Sequence, residues 1–321
     1  MRVILWVVLA LGILWAGYWF VGSNAVERAA TDWFAKAAAQ GIEATQDGIS
    51  VAGFPNRFDL TVTQPQLLAR ATGWGWQAPF AQVFAMTWKP WHVIAALPNT
   101  QTVMTPDQTI TLLSSKMQAS LRLIPSSDLA LAEVVIEGHD LQINSDKGWQ
   151  IAAKTLLAAV ASQKDDQHLG LDITDLAIDP AMAPTLGGLV STLHLDAVVS
   201  LTAPLDRHMA ETQPQMTAVD LADFHAVWGE LTVVAAGKII ADADGLATGK
   251  VDFHFKHWRS IPPLLVAMGL VEPGFGKSIT GGLEALAKSG PDPETLDLTL
   301  TFADGRMNFG PLPLGPAPRL N

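Results

Sequence analysis

Cysteine is absent from this chain. That excludes disulfide bridges, thiolate metal centres and cysteine nucleophiles, and leaves the redox compartment open. Positive charge is scarce as well: 20 Lys and Arg stand against 31 Asp and Glu across 321 residues, a net charge of −11. A nucleic-acid binder needs a basic stripe to displace counterions, and no run of Lys or Arg supplies one, so no nucleic-acid partner is expected. Charged residues reach only 16% while hydrophobic residues reach 49%. This balance excludes wholesale disorder and permits a large buried apolar area. The length allows one large β domain or two smaller ones.

Signatures of chemistry are missing too. No Gly-x-Ser-x-Gly elbow occurs and no Ser/His/Asp arrangement stands out. Gly274-Phe275-Gly276-Lys277-Ser278 resembles the end of a phosphate-binding loop, but Val271 occupies the place of the first Gly. Leu264 to Gly269, just before it, reads as helix where that motif requires a strand. A Gly-rich turn before a helix, with Ser278 near its start, is the plainer reading. His254 and His257 are the closest histidine pair, yet an alternating run puts residues three apart on opposite faces. His92, His139, His168, His194, His208 and His225 show no ligand spacing. The acidic pairs Asp165-Asp166 and Asp242/Asp244 fall at turn-like positions that Asp favours on its own account. No catalytic residue, cofactor site or metal site is expected, and the chain reads as a non-enzymatic protein.

What the sequence does contain begins with an uncharged apolar run from Val3 to Gly22. About 20 residues at roughly 1.5 Å each span the roughly 30 Å hydrocarbon core of a bilayer. Trp6 near one end, and Trp15, Tyr18 and Trp19 toward the other, suit interfacial anchoring. The rival is a cleaved signal peptide, with Val21-Gly22-Ser23 or Ser23-Asn24-Ala25 as weak cleavage sites. Arg2 and the amino terminus precede the run while Glu27 and Arg28 cancel after it. The positive-inside tendency therefore places the N-terminus in the cytoplasm and the remainder outside. In a double-membrane bacterium that is a single-pass inner-membrane protein with a C-terminal periplasmic domain.

Val26 to Gln40 reads as a helix continuing from the span, with Trp33, Phe34 and Ala37 as its apolar stripe and Gly41 as its stop. Beyond it, period-two alternation dominates. Phe58, Leu60 and Val62 alternate with polar residues, as do Leu193 to Leu201, Val251 to Phe255 and Leu296 to Phe302. Asp47-Gly48, Lys147-Gly148, Asp244-Gly245 and Asp304-Gly305 are tight-turn dipeptides between such runs. The fold class is mainly β (α+β): a long antiparallel meander with a few short helices, preceded by one N-terminal transmembrane helix. Helices are predicted over Ile151–Gln163, Pro262–Leu270 and Ser278–Lys288, and an extended tail over Gly310–Pro318. The expected organisation is an anchor over 1–22, a juxtamembrane helix over 23–41 and a β domain over 42–321, with a possible sub-boundary near 179–188 at Pro180 and Pro184.

This inventory poses a burial problem. Many strands carry an apolar face and few helices are available to cover them. Either the sheet packs against a second sheet, as a sandwich, or it curls as a half-barrel and leaves an apolar groove. A groove of that kind needs a ligand, a partner or a lid. Trp74-Gly75-Trp76 and Trp88-Lys89-Pro90-Trp91, with Phe80, Phe84 and Met86, form the richest aromatic region outside the anchor. They are core, groove wall or membrane-surface contact. Candidate residues for an apolar ligand lining are Phe54, Phe58, Trp74, Trp76, Phe253, Phe255 and Phe302. Arg57 is expected to pair with Asp59 or a backbone carbonyl.

Gly53-Phe54-Pro55-Asn56-Arg57-Phe58-Asp59-Leu60 resembles the Gly-aromatic-Pro-Phe-Arg-aromatic signature of the domain-of-unknown-function family 2125 of bacterial envelope proteins. Asn56 stands where the signature has Phe. Trp228-Gly229 through Gly237, Asp244-Gly245, His257-Trp258 and the ending Gly305 to Pro318 resemble the same family, so the likeness covers almost the whole chain. The layout of anchor, short helix, Gly-Phe-Pro-x-Arg and long meander is also similar to the AsmA-like envelope proteins. That likeness implies a curved β-groove carrying lipid and implies no catalytic residues. The expected function is binding or shielding an apolar ligand such as a lipid acyl chain. The alternative is a tethered scaffold or assembly factor that binds another envelope protein.

Overall fold

The computed structural model describes residues 1–179, 186–267, 273–310 and 312–320. Strand accounts for 56% of the chain, as one long open antiparallel sheet with few helices and one N-terminal apolar helix. The chain divides into two compact units, Met1–Pro125 with Ile136–Trp149, and Ser126–Val135 with Gln150–Asn321.

The first unit begins with α1 (Arg2–Lys36), in which the apolar run and the juxtamembrane segment are one unbroken helix. No Pro interrupts it, and it runs as helix through Gly22-Ser23. A 3-10 turn over Ala37–Gln40 follows, and Gly41, in the left-handed conformation, ends it as expected. The strands come next: β1 (Ile42–Thr45), β2 (Gly48–Ala52), β3 (Arg57–Thr63), β4 (Gln66–Ala69), β5 (Trp74–Gln77), β6 (Phe80–Met86), β7 (Lys89–Leu97), β8 (Thr100–Met104), β9 (Thr109–Leu113), β10 (Lys116–Leu123) and β11 (Leu131–Ser145). Pairing is antiparallel throughout. β2, β3, β6, β7 and β10 are neighbours in that order, and so are β1, β4, β5, β8, β9 and the end of β11.

These two ladders are halves of the same long strands. β1 runs on into β2, β3 into β4, β5 into β6, β7 into β8 and β9 into β10, each after a two-residue break. Pro65, Pro79 and Pro98 occupy three of the breaks. Proline has no N–H and a fixed φ, so it stops a ladder where it stands. Hydrogen bonds from Gln64 N–H to the Pro79 carbonyl (2.9 Å), Ala78 N–H to the Pro65 carbonyl (3.2 Å) and Ser114 N–H to the Asn99 carbonyl (2.9 Å) stitch neighbouring breaks together. Asp47-Gly48 lies on this seam, with Gly48 already paired to Thr63, and is not the hairpin turn its dipeptide suggested.

The second unit is a sequential meander of β12 (Gln150–Gln163), β13 (Asp166–Ile178), β14 (Leu189–Leu201), β15 (Met216–Trp228), β16 (Leu231–Ala241), β17 (Ala247–Lys256), β18 (Thr295–Ala303), β19 (Arg306–Phe309) and β20 (Leu312–Pro316). Its helices are α2 (Met209–Thr212), α3 (Ile261–Ala267) and α4 (Pro273–Ser289). The register shifts between β14 and β15 and between β15 and β16 mark bulges, which bend and twist the strands that carry them.

Two expectations need correction. Ile151–Gln163 is strand, not helix: Leu156, Ala158 and Val160 lie opposite Ile173, Leu171 and Leu169 on β13. Non-local pairing there overrides the helix propensity of an alanine-rich stretch. Gly274 to Ser278 is neither a phosphate loop nor a turn, because α4 starts at Pro273 and contains it. The helix predicted over Pro262–Leu270 is α3, which is described as far as Ala267. Met268 to Leu270, Val271, and Pro180 and Pro184 of the suggested sub-boundary lie outside the described residues.

Candidate functional site

Trp15, Tyr18, Trp19 and Gly22 recur at helical spacing and form one stripe on α1. Against that stripe lies the turn from Gly53 to Arg57, between β2 and β3. The Trp19 indole N–H donates to the Arg57 carbonyl at 2.7 Å, and the Tyr18 hydroxyl donates to the Thr87 carbonyl at 2.8 Å. Trp19 is edge-on to Phe54 and stacked on Phe58, with centroids 5.3 and 6.5 Å away. A Cβ on Gly22 would sit 2.4 Å from the Phe58 ring, so only glycine admits that approach. Gly53 has φ +98°, and a Cβ there would meet the Arg57 carbonyl oxygen at 2.8 Å. The N–H groups of Asn56 and Arg57 both donate back to the Gly53 carbonyl, and Thr87 N–H donates to the Asn56 carbonyl. Arg57 pairs with Asp59 at 2.6 Å, as expected from the sequence. The Gly-Phe-Pro-x-Arg-Phe stretch is thus the joint between the apolar helix and the first β unit.

The second unit carries the large apolar face. The registers align Leu156, Ala158 and Val160 (β12) with Leu169, Leu171 and Ile173 (β13), then with Leu193, Leu195, Ala197 and Val199 (β14). The row continues through Val219, Leu221 and Phe224 (β15), Ala235 and Ile239 (β16), and Val251 and Phe253 (β17) to Leu298 and Leu300 (β18). Two roofs cover parts of it. At one end Trp258, Leu283 and Ala287, the last two on α4, close over Leu231, Phe255, Leu296 and Leu298. At the other, Ala317 and Leu320 pack with Ala247, Phe302 and Met307. Across β12 to β15 most of these side chains are half-buried, with Ala197 the buried exception.

The structure divides the seven predicted lining residues among three places. Phe54 and Phe58 belong to the joint with α1. Trp74 and Trp76 border an apolar pocket of about 330 Å³ in the first unit, with Trp33, Ile42, Leu67 and Val103. The Trp76 indole N–H there donates to Gln101 Oε1 at 3.0 Å. Phe253, Phe255 and Phe302 lie on the apolar face, with Phe253 and Phe255 stacked 5.8 Å apart. Phe255 and Phe302 are buried beneath the two roofs, and Phe253 is half-buried. The leucines and valines of β13 to β15 carry most of the uncovered face, and alternation over Leu193–Leu201 was the signal for them.

The opposite face of the second unit is polar. Asp172, His194, His225, Val234, His254 and Asp297 form one transverse row across six strands. His194 Nδ1 lies 2.6 Å from Asp172, and His254 Nδ1 lies 2.6 Å from Asp297. The hydrogen bond to Asp172, helped by the charges of Asp172, Asp223 and Asp196, raises the His194 pKa above 6.5. In the first unit, hydrogen bonds from His139 and Lys116 lower the Glu137 carboxyl to about 2. His257, 3.6 Å from Glu294, lies beyond the strand that holds His254, and the two histidines do not converge. Among the described residues no group of three or more His, Asp or Glu is placed to hold a metal.

A family model described as an uncharacterized protein conserved in bacteria (DUF2125) matches residues 19–318. This bears out the likeness read from Gly53 to Leu60 and from the C-terminal ending; the AsmA-like layout is not part of what matches. No curated protein and no solved structure matches the chain.

Proposed function

We infer a role for this chain from the premise that it belongs to the DUF2125 family and carries an N-terminal helix long and apolar enough to span a membrane. It is a single-pass protein of the bacterial inner membrane, with its β units on the periplasmic side. Its sheet shields an apolar ligand such as a lipid acyl chain, and it does so without catalysis. The observation that carries this reading is the apolar face running from β12 to β18, which, among the described residues, α4 and the C-terminal residues cover only over β16 to β18. A contiguous apolar surface of that extent is costly to leave in water. An acyl chain laid on it gains about 0.8 kcal/mol per buried methylene and needs no polar partner. A strip of Leu, Ile, Val and Phe side chains across β13 to β15 suits a ligand recognised by hydrophobicity.

Native mass spectrometry of the full chain, released from detergent, tests the proposal. Co-purified lipid at defined stoichiometry is the expected result, and Leu195→Glu, placed mid-face between Leu171 and Phe224, removes it. A stoichiometric protein partner with no lipid overturns the proposal in favour of a tethered scaffold.

A further inference from the structure

The two ends of the first unit's sheet differ in chemistry. Three chain segments meet at the end nearest the apolar run: the turn between β2 and β3, the turn between β6 and β7, and the stretch after β10. They expose Phe54 (54%), Met86 (42%), Trp88 (50%) and Ile124 (47%). The turns at the other end are Arg70–Gly73, Thr105–Gln108 and Asp146–Gly148, and they expose no large apolar side chain. Trp74 and Trp33 are exposed near that end, but both line the apolar pocket. The same strands thus finish in greasy tips on one side and polar tips on the other.

The height of the greasy end is fixed. The Tyr18 and Trp19 hydrogen bonds to the Thr87 and Arg57 carbonyls hold these turns level with residues 18 and 19 of α1. Counting about 20 residues from Val3, those positions fall in the last turn of the span, where aromatic side chains meet lipid headgroups. The turns tied to them lie at the same depth. Lys89, exposed beside Trp88, has a stem long enough to lie along acyl chains while its ammonium reaches phosphate.

We propose that Phe54, Met86, Trp88 and Ile124 form a foot seated in the interfacial layer of the bilayer, so that the first unit is held by a span and by its own strand ends. The proposal rests on the reading that α1 crosses the membrane. The bilayer is the occupant that fits because the surface is continuous with the span and the turns at 53–56 and 87–88 carry no acidic side chain, while Asp128 follows four residues after Ile124 in the third segment.

The chain has no cysteine, so single substitutions give unique labels. The full chain would be reconstituted in bilayer discs of phosphatidylethanolamine and phosphatidylglycerol, with a nitroxide at Phe54→Cys, Trp88→Cys or Ile124→Cys. Leu11→Cys provides a mid-span reference and Lys147→Cys a far-turn reference. Power saturation compares accessibility to oxygen, which concentrates in lipid, with accessibility to a water-soluble nickel chelate. The foot predicts oxygen-to-nickel ratios several-fold above that of Lys147→Cys and below that of Leu11→Cys at two or more of the three sites. Rim sites that match Lys147→Cys while Leu11→Cys reads lipid overturn the foot and leave the anchor standing. A Leu11→Cys label that reads aqueous overturns both.

Discussion

At Gly22 the helix passes so close to Phe58 that a single methyl group would enter the ring. Phe58 is buried and cannot swing aside cheaply, so Gly22→Ala should cost about 1–3 kcal/mol. The loss would appear as a lower thermal midpoint of the full chain in detergent micelles. Trp19→Phe keeps most of the ring contact but orphans the Arg57 carbonyl, a loss of about 1 kcal/mol by the same measurement. On the polar face, the His194 imidazolium is the form that Asp172 favours. Its stabilising effect is therefore fully present below about pH 6.5, the ordinary histidine value, and is lost as pH rises through the raised folded value. His194 titration followed by NMR should show a midpoint above 6.5, and Asp172→Asn should bring it down toward the ordinary value. The Arg57–Asp59 pair was legible in the sequence because residues two apart on a strand share a face. The bond from Trp19 to Arg57 was not, since no local pattern connects positions 38 apart. Trp15, Tyr18 and Trp19 stood out in the sequence as interfacial anchors, because lipid and protein partners favour the same aromatic residues there, and Gly22 carried no signal.

Among the elements, α4 and the segment around Trp258 act as a partial roof. Trp258 is fully buried and its indole N–H donates to the Pro293 carbonyl at 3.1 Å. Trp258→Ala should cost about 3–5 kcal/mol and Leu283→Ala about 2–5 kcal/mol. Hydrogen exchange should then rise first in β16 to β18, the strands beneath them. Alternation made β3, β14, β17 and β18 readable, because a sheet with one apolar face writes a period of two into the chain. β12 was missed for a physical reason: its alanines favour helix, and the leucine and valine spacing that decides the matter acquires meaning only against β13. The seam in the first unit was equally hidden. Pro65, Pro79 and Pro98 lie far apart in the sequence, and only the pairing shows that they fall side by side across neighbouring strands.

Over the whole molecule, the shortage of helices relative to apolar strand faces left two outcomes open, a sandwich or an apolar groove, and which strands lack a roof became clear only from the registers. The helix that carries the apolar run is also the helix that buttresses the first unit. It is 35 residues long, about 52 Å, against a hydrocarbon core of roughly 30 Å. Removing residues 1–22 would strip Phe54 and Phe58 of their Trp19 contacts, and such a truncated protein should self-associate in sedimentation assays, less so when it carries Phe54→Ser with Phe58→Ser. No slack tether joins the apolar run to the sheet: α1 leaves the run without a break and is bolted to β3 and to Thr87. The first unit therefore stands on a mast rather than swinging on a rope. On the proposed topology it surveys a thin layer at set height above the lipid, and whatever it meets must arrive by diffusion in the plane or be delivered to that level.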